Sequence, residues 1–315
     1  MEKEQHLNDP WLIAAWPGMG AVSISACYYL MAKLGMHLLA EFPAREFFDL
    51  ERIEVKDGLI LTGRLPRSRL FLWHDPQKRH DLIVFIGEAQ PTSKGGAFCS
   101  QLIRHARELG VKRVFTFAAM ATQMRPGHDS RVFGAAIDRV SLADFKRLDV
   151  QLLEEGHISG LNGVLLAIAS DSGMSGGCLL GEIPHVFSQV PFPKASLSVL
   201  KAFTALAGIS LDFTELQTQA TQVEKGLEEF LQRLETTIEP AEHPAAEAEP
   251  DEQEPSKRPL KTSDRQRLDE LFALARQDRS RAYELKQELD RLGVFHDYED
   301  RFLDLFKDPG TINPT

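Results

Sequence analysis

Apolar and polar positions alternate along residues 1–211 in a pattern typical of strands that take turns with helices. Strands are expected at residues 11–16, 38–42, 70–73, 82–86, 114–118, 132–137 and 178–183. Helical segments are expected at residues 21–34, 94–109, 164–169 and 197–206. An Asp-Gly pair between alternating positions predicts a hairpin over residues 51–62. The pattern predicts a three-layer α/β/α domain over residues 1–211, with a mixed, mostly parallel sheet.

The segment 156–185 combines glycine-containing turns with a helix of small apolar residues. Gly160, Asn162 and Gly163 tolerate positive φ angles, so they are expected to form a tight turn, and Asn162 is a candidate cap for the helix. A pair of glycines is expected to end that helix before a buried strand that finishes near Glu182.

Beyond residue 211 the apolar period becomes that of long helices. Residues 212–238 carry apolar side chains at alternating spacings of three and four, which predicts one heptad helix. Residues 239–261 are acidic and proline-rich and are predicted to be a disordered linker. Residues 262–315 are predicted to be a C-terminal helical segment, which either pairs with the heptad helix or packs separately on the α/β domain. Either the tip of that pair or a partner is expected to cover its aromatic cluster, Phe295, Tyr298, Phe302 and Phe306.

Composition narrows the class of protein. A formal net charge of -10 over 315 residues argues against a general nucleic-acid binder, which needs clustered positive charge. The three cysteines lie in apolar or small-residue surroundings without paired spacing, which favours buried thiols in a reducing compartment. The first ten residues do not resemble a secretory signal, and no apolar run is long enough for a membrane helix. We expect a cytoplasmic protein without a membrane partner.

Two glycine motifs imitate known sites. Gly18 and Gly20 stand between a strand and a helix, with Glu41 about 20 residues further on, as in a dinucleotide-binding fingerprint. The third glycine position of that fingerprint holds Ser23, so a structural turn is favoured and no cofactor is expected. A serine between glycines at residues 173–177 follows helix-like sequence and precedes strand-like sequence, the reverse of a nucleophile elbow, so no catalytic residue is assigned.

Polar residues that follow buried strands are the remaining candidates for a ligand site. Glu88 and Gln90 come just after residues 82–86, and Glu182 lies at the end of another buried strand. Because open α/β sheets bind ligands at the carboxyl ends of their strands, two such carboxylates could bind a ligand or act as acid and base. The alternative is that they cap helices and solvate a rim. The histidines show no convincing metal-ligand spacing, so no metal is expected.

Three stretches together resemble the proteasome assembly chaperone 2 family over about residues 10–235: WPGMGAVSISACYYLMAKLG, FIGEAQP and GHISGLNGVLLAIASDSGMSGGCLLGEIP. The resemblance implies a fold like that of purine nucleoside phosphorylases. It also implies a homo-oligomeric, non-catalytic binding protein that helps to assemble a larger complex. Members that engage the proteasome often end in a hydrophobic residue, a tyrosine and one last residue, whereas this chain ends Ile312-Asn313-Pro314-Thr315.

Three function classes remain open. An assembly or scaffold protein, binding itself or another protein complex, accounts for the heptad helix and the aromatic cluster and is the first choice. An enzyme on a phosphorylase-like core would use Glu88, Asn162 and Glu182, and a small-molecule sensor would pass occupancy to the C-terminal helices. Homo-oligomerisation is predicted because the apolar helix around Leu165 and the heptad seam present more apolar surface than one monomer obviously covers.

Overall fold

The computed structural model of the chain describes residues 7–49, 54–56, 58–61, 64–148, 150–237 and 260–307. Its strands are β1 (Trp11–Ala15), β2 (His37–Glu41), β3 (Glu54–Lys56), β4 (Leu59–Leu61), β5 (Ser68–Trp73), β6 (Leu82–Gly87), β7 (Arg113–Thr122), β8 (Val132–Ala136), β9 (Gln151–Leu152) and β10 (Ser175–Pro184). Its α-helices are α1 (Val22–Leu34), α2 (Gly95–Glu108), α3 (Arg139–Arg147), α4 (Gly160–Asp171), α5 (Pro193–Ala207), α6 (Thr214–Thr237), α7 (Thr262–Gln277), α8 (Ala282–Arg291) and α9 (Phe295–Leu303).

Within the described residues, eight strands form one sheet in the order β2-β5-β6-β1-β7-β10-β8-β9. The pairs β6-β1, β1-β7, β7-β10 and β8-β9 are parallel, and the pairs β2-β5, β5-β6 and β10-β8 are antiparallel. The expected mixed, mostly parallel sheet is therefore confirmed. The expected hairpin is present as the antiparallel pair β3-β4, which stands apart from the main sheet.

Helices cover both faces of this sheet, which confirms the three-layer α/β/α fold. Successive side chains of a strand point to opposite faces, and in β1 Leu12 and Ala14 belong to one apolar core whereas Trp11 and Ile13 belong to the other. The first core lies under α2 and α4, and the second lies under α1 and α5. Leu165 of α4 is fully buried in the first core. The apolar helix around it, which was expected to need a partner subunit, is therefore covered at this position by its own chain.

The helices that follow the sheet pack separately on the α/β domain. Helix α6 lies against α5, while α8 and the short turn before it lie against α1, and α7 and α9 pack on α8. Of the two sequence-based alternatives, separate packing is the one that the structure shows. Both expected covers for the aromatic cluster were wrong, because α1, β5 and α7 of the same chain cover it. Residues 238–259 and 308–315, which include most of the predicted linker, lie outside the described residues.

The glycine-rich segment differs from its prediction in two places. Helix α4 already begins at Gly160 and is preceded by Ser159 as its N-cap, so Asn162 does not cap it and lies within its first turn. Gly176 and Gly177 do not end the helix but lie inside β10. The reason is steric: a Cβ at Gly176 would stand 1.9 Å from the carbonyl oxygen of Val114, so this part of β10 needs glycine to pair with β7. The sequence reasoning also missed α3 and β9.

None of the helices within the described ranges combines the length and the apolar character that crossing a membrane requires.

Candidate functional site

The loop after β1 is joined to the loop after β10 by backbone hydrogen bonds. The amide of Gly20 donates to the carbonyl of Ser188 at 2.7 Å, and the amide of Phe192 donates to the carbonyl of Gly20 at 2.9 Å. Gly20 has φ +60°, and a Cβ there would lie 3.3 Å from the side chain of Ile183. Gly18 is extended and has free space around its Cα. The Gly18 to Gly20 segment thus forms a turn that packs against the end of β10.

Gln90 connects this turn to the start of α4. Its Nε2 donates to the carbonyl of Pro17 at 3.2 Å, and its Oε1 accepts from the amide of Leu161 at 3.1 Å. Gly160, at φ +69°, leaves room for this contact because a Cβ there would stand 2.8 Å from the Oε1. The structure therefore brings the first loop, Gln90 and Gly160 together, and the Gln90 side chain occupies the backbone donor at the N-terminus of α4.

Asn162 and Gly163 fix the first turn of α4 against its neighbours. The Nδ2 of Asn162 donates to the carbonyl of Phe117 at 3.2 Å, while its buried Oδ1 has no hydrogen-bond partner among the described residues. A Cβ on Gly163 would come within 2.2 Å of the carbonyl oxygen of Ile158. Both residues therefore hold the first turn of α4 in place, and the Oδ1 of Asn162 is left unpaired there.

Glu88 is buried among three arginines. Its carboxylate accepts from the backbone amide of Arg67 at 2.8 Å and from the Nη2 of Arg64 at 3.0 Å. The Nη1 of Arg69 lies 3.4 Å away. Only 4% of the Glu88 side chain is exposed, so this carboxylate neither caps a helix nor solvates a rim as the sequence suggested. It neutralises an arginine cluster, defined here as Arg64, Arg67 and Arg69.

Glu182 is buried in a second, separate network. The Oγ1 of Thr122 donates to it at 2.7 Å, and the Nε of Arg131 donates to it at 2.7 Å. The hydrogen bond from Arg131 holds the pKa of Glu182 below its ordinary value, although burial alone would raise it. Because β1 and β7 separate β6 from β10, Glu88 and Glu182 are about 14 Å apart across the sheet. The two carboxylates do not converge on one ligand.

The arginine cluster is the feature that sequence reasoning missed. Besides Glu88, the cluster binds the carboxylate of Asp300 on α9. This carboxylate accepts hydrogen bonds from all three guanidinium groups, including one from the Nη1 of Arg67 at 2.8 Å. The available signal was the run RLPRSR at residues 64–69 directly before an apolar strand. Charges at that position need partners, and a partner 231 residues away along the chain cannot be read from spacing.

Apolar side chains are exposed where the C-terminal half of α6 passes the loops after β1 and β10. The edge patch consists of Met19, Val186, Val190, Phe230 and Leu234, which are between 39% and 57% exposed. The two loops are joined by the Gly20 hydrogen bonds, and the ring of Phe230 lies 6.3 Å from that of Phe187. An ion pair between Lys194 and Glu224, 2.7 Å long, holds α6 beside this edge.

The cysteines and the residue types that bind metals are distributed over the part of the chain that the structure describes. Cys27, Cys99 and Cys178 are buried free thiols. Burial raises the pKa of Cys99 and of Cys178 to about 12, so their reactive thiolate forms are scarce at neutral pH. In the part of the chain that the structure describes, no group of three or more His, Cys, Asp or Glu side chains could hold a metal ion.

Comparison with protein families and curated sequences gives two matches. The model of the PAC2 family matches residues 12–231. An uncharacterized protein of Methanocaldococcus jannaschii is 26% identical over 257 residues, which are 79% of this chain and 91% of that protein.

Solved structures of the same fold align with about three quarters of the chain or with nearly all of it. PbaB of Pyrococcus furiosus, an archaeal proteasome activator, is 24% identical with a TM-score of 0.59 and aligns with 73% of this chain and 94% of its own. A proteasome-assembly chaperone homologue of Mycobacterium tuberculosis is 20% identical with a TM-score of 0.59 over 74% and 96%. A Corynebacterium glutamicum protein of unknown function, 18% identical with a TM-score of 0.59, aligns with 95% of this chain and 94% of its own.

Proposed function

The chain belongs to the PAC2 family, and from that premise we propose that it is a non-catalytic, assembly-chaperone-like protein that forms homo-oligomers and binds another protein complex. Two of its structural relatives are a proteasome activator and a proteasome-assembly chaperone homologue, which makes proteasome components the first partners to examine. We place this activity in the cytoplasm.

The observation that carries the proposal is the edge patch. Leu216 and Ala220, in the first half of the α6 seam, are buried, whereas Phe230 and Leu234 in its second half are exposed. The exposed half continues the heptad spacing, so it is shaped to receive apolar side chains from outside the subunit. Several apolar side chains exposed along one edge are the kind of feature that marks a protein interaction site.

The buried carboxylates support a binding role over an enzymatic one. Glu88 and Glu182 are each neutralised by arginine, and they stand apart on the sheet. General acid–base work needs titratable groups that reach one reacting centre. Protein binding by the exposed apolar edge patch does not need such titratable groups.

Native mass spectrometry of the tagged protein, recovered from its own cells at mild salt, tests the proposal. We expect a homo-oligomer that carries a stoichiometric protein partner, and we expect Phe230→Ser combined with Leu234→Ser to lose that partner. Val140→Ser is the matched control, because Val140 is 65% exposed on α3, away from the edge patch. A monomer, or an oligomer that carries only a small molecule, would overturn the proposal.

A further inference from the structure

Helix α9 presents two aromatic rings and two carboxylates to the core. The rings of Phe295 and Phe302 each lie 5.4 Å from the ring of Tyr28 on α1. The hydroxyl of Tyr28 donates to Glu299 at 2.7 Å, and Asp300 accepts from the arginine cluster. The short turn after α9 adds Phe306, whose ring lies 5.8 Å from that of Phe71 in β5.

The core face beneath α9 is therefore apolar on one side and positively charged on the other. On the core side the arginine cluster carries three positive charges, and its neighbours Glu41 and Glu88 carry two negative charges, which leaves a net charge of +1. The side chain of Arg69 is 1% exposed, and its Nε makes no hydrogen bond. The carboxylate of Asp300 neutralises this remaining positive charge and accepts hydrogen bonds from the arginines. Helix α9 therefore binds this face as a separate ligand with the same groups would.

The match to the family model ends before this cover begins, because the model matches residues 12–231. PbaB aligns over 94% of its own length with 73% of this chain, so about a quarter of this chain lies outside that alignment. The alignment with the Corynebacterium glutamicum protein instead spans 95% of this chain and so extends into the C-terminal helices. The C-terminal helices are thus an addition to the part of the chain that the family model describes.

The contact of α9 combines a fully buried ring, that of Phe302, with ion pairs at a partly exposed edge. Helix α9 has nine residues, fewer than a helix needs to persist alone in water. The side chains of Arg64 and Asp300 are 46% and 37% exposed, and ion pairs that water reaches are individually weak. A helix from another protein with the same aromatic and acidic face would compete directly for this site.

We propose that the face made by Tyr28, Phe71 and the arginine cluster is a docking surface for an acidic, aromatic helix of a partner protein, and that α9 is a built-in occupant which that helix displaces. The inference rests on the proposed protein-binding function and adds a second surface with its own partner chemistry. It makes access to that surface depend on the equilibrium between docked and released α9, because a competitor binds only the released fraction.

The test measures binding of a labelled synthetic peptide that copies residues 282–307 to the full-length chain by fluorescence anisotropy. We expect Asp300→Asn in the chain to tighten peptide binding about fivefold, because the weakened ion pairs release α9 more often. Asp304→Asn is the matched control: Asp304 lies directly after α9, but its ion pair is with Lys307 of the same segment. This control should bind the peptide as the unaltered chain does.

Two further variants identify the site that the peptide occupies. A peptide with Asn at the position of Asp300 should bind the Asp300→Asn chain about fivefold more weakly than the native peptide does. Arg67→Gln in that chain should reduce binding of the native peptide by a similar factor. Hydrogen exchange should show that peptide binding deprotects the chain's own α9.

Equal peptide affinities of the unaltered and Asp300→Asn chains, or equal affinities of the two peptides, would overturn the inference. So would binding that leaves the protection of α9 unchanged. The proposed function does not depend on this result, because it is decided by partner loss in the variant of Phe230 and Leu234. Each proposal can therefore fail while the other stands.

Discussion

The two helical regions that follow the sheet have similar apolar patterns but different surroundings. Helix α6 buries the first half of its seam against α5 and leaves Phe230 and Leu234 exposed. The segment from α7 to α9 instead buries its aromatic cluster against α1 and β5 and adds buried polar contacts. The difference shows that apolar periodicity reveals which face needs a partner but does not reveal whether that partner lies in the same chain.

The largest expected effect is on the buried aromatic cluster. Phe302 is fully buried between the rings of Tyr28 and Phe306, so Phe302→Ala should leave a cavity. We expect the free energy of unfolding of the C-terminal segment to fall by about 3–5 kcal/mol. Hydrogen exchange of α8 and α9 measures this loss. If the exchange rates stay unchanged, the segment is not held by its aromatic contacts and the contrast with α6 fails.

Two adjacent tyrosines on α1 each form a hydrogen bond with a different one of the two regions. The hydroxyl of Tyr28 donates to Glu299 of α9, whereas that of Tyr29 donates at 2.6 Å to the carbonyl of Asp212, just before α6. Tyr28→Phe leaves a buried carboxylate without its donor and should cost about 1.5–3 kcal/mol, while Tyr29→Phe should cost about 1 kcal/mol.

Hydrogen exchange distinguishes these two losses by their location. Tyr28→Phe should deprotect α9 and leave the start of α6 unaffected, and Tyr29→Phe should do the reverse. Deprotection of both regions in either variant would mean that the two segments unfold as one unit.

The neighbouring carboxylates of α9 are expected to respond to pH in opposite directions. Burial raises the pKa of Glu299 above its ordinary 4.5, with Glu88 adding to the effect while Tyr28, His296 and Arg69 oppose it. Its contribution to stability is therefore present below pH 4.5 and is lost as the pH rises through the folded-state pKa.

For Asp300, burial alone would raise the pKa, but the hydrogen bond from Arg69 and the charges of Arg64 and Arg67 hold it below 3.8. Its contribution is present above pH 3.8 and is lost as the pH falls through the folded-state pKa. Urea unfolding measured across pH tests both assignments. In Glu299→Gln, stability should no longer fall as the pH rises above 4.5, and in Asp300→Asn it should no longer fall as the pH drops below 3.8. A shared direction for both variants would contradict these assignments.

The sequence predicted the elements that depend on local pattern and missed those that depend on distant contacts. Alternation and glycine placement were enough for the strands of the sheet other than β9 and for α1, α2 and α5. The positions of Gly176 and Gly177 were read as a helix end because their steric reason, the close pairing of β10 with its neighbours, exists only in the folded sheet. Glu88 was placed at a strand end correctly, but its arginine partners and Asp300 become neighbours only through folding.

The smallest expected effect on stability concerns the edge patch. Phe230 is 52% exposed, so Phe230→Ser removes little buried area and should change the free energy of unfolding by about 0.5 kcal/mol or less. Urea unfolding measures this change, with Val140→Ser as the control for replacing an exposed apolar side chain. A loss of several kcal/mol would mean that Phe230 is a structural residue held through Phe187. Near-neutral stability together with loss of the bound partner would identify Phe230 as a residue whose apolar surface is completed by another protein.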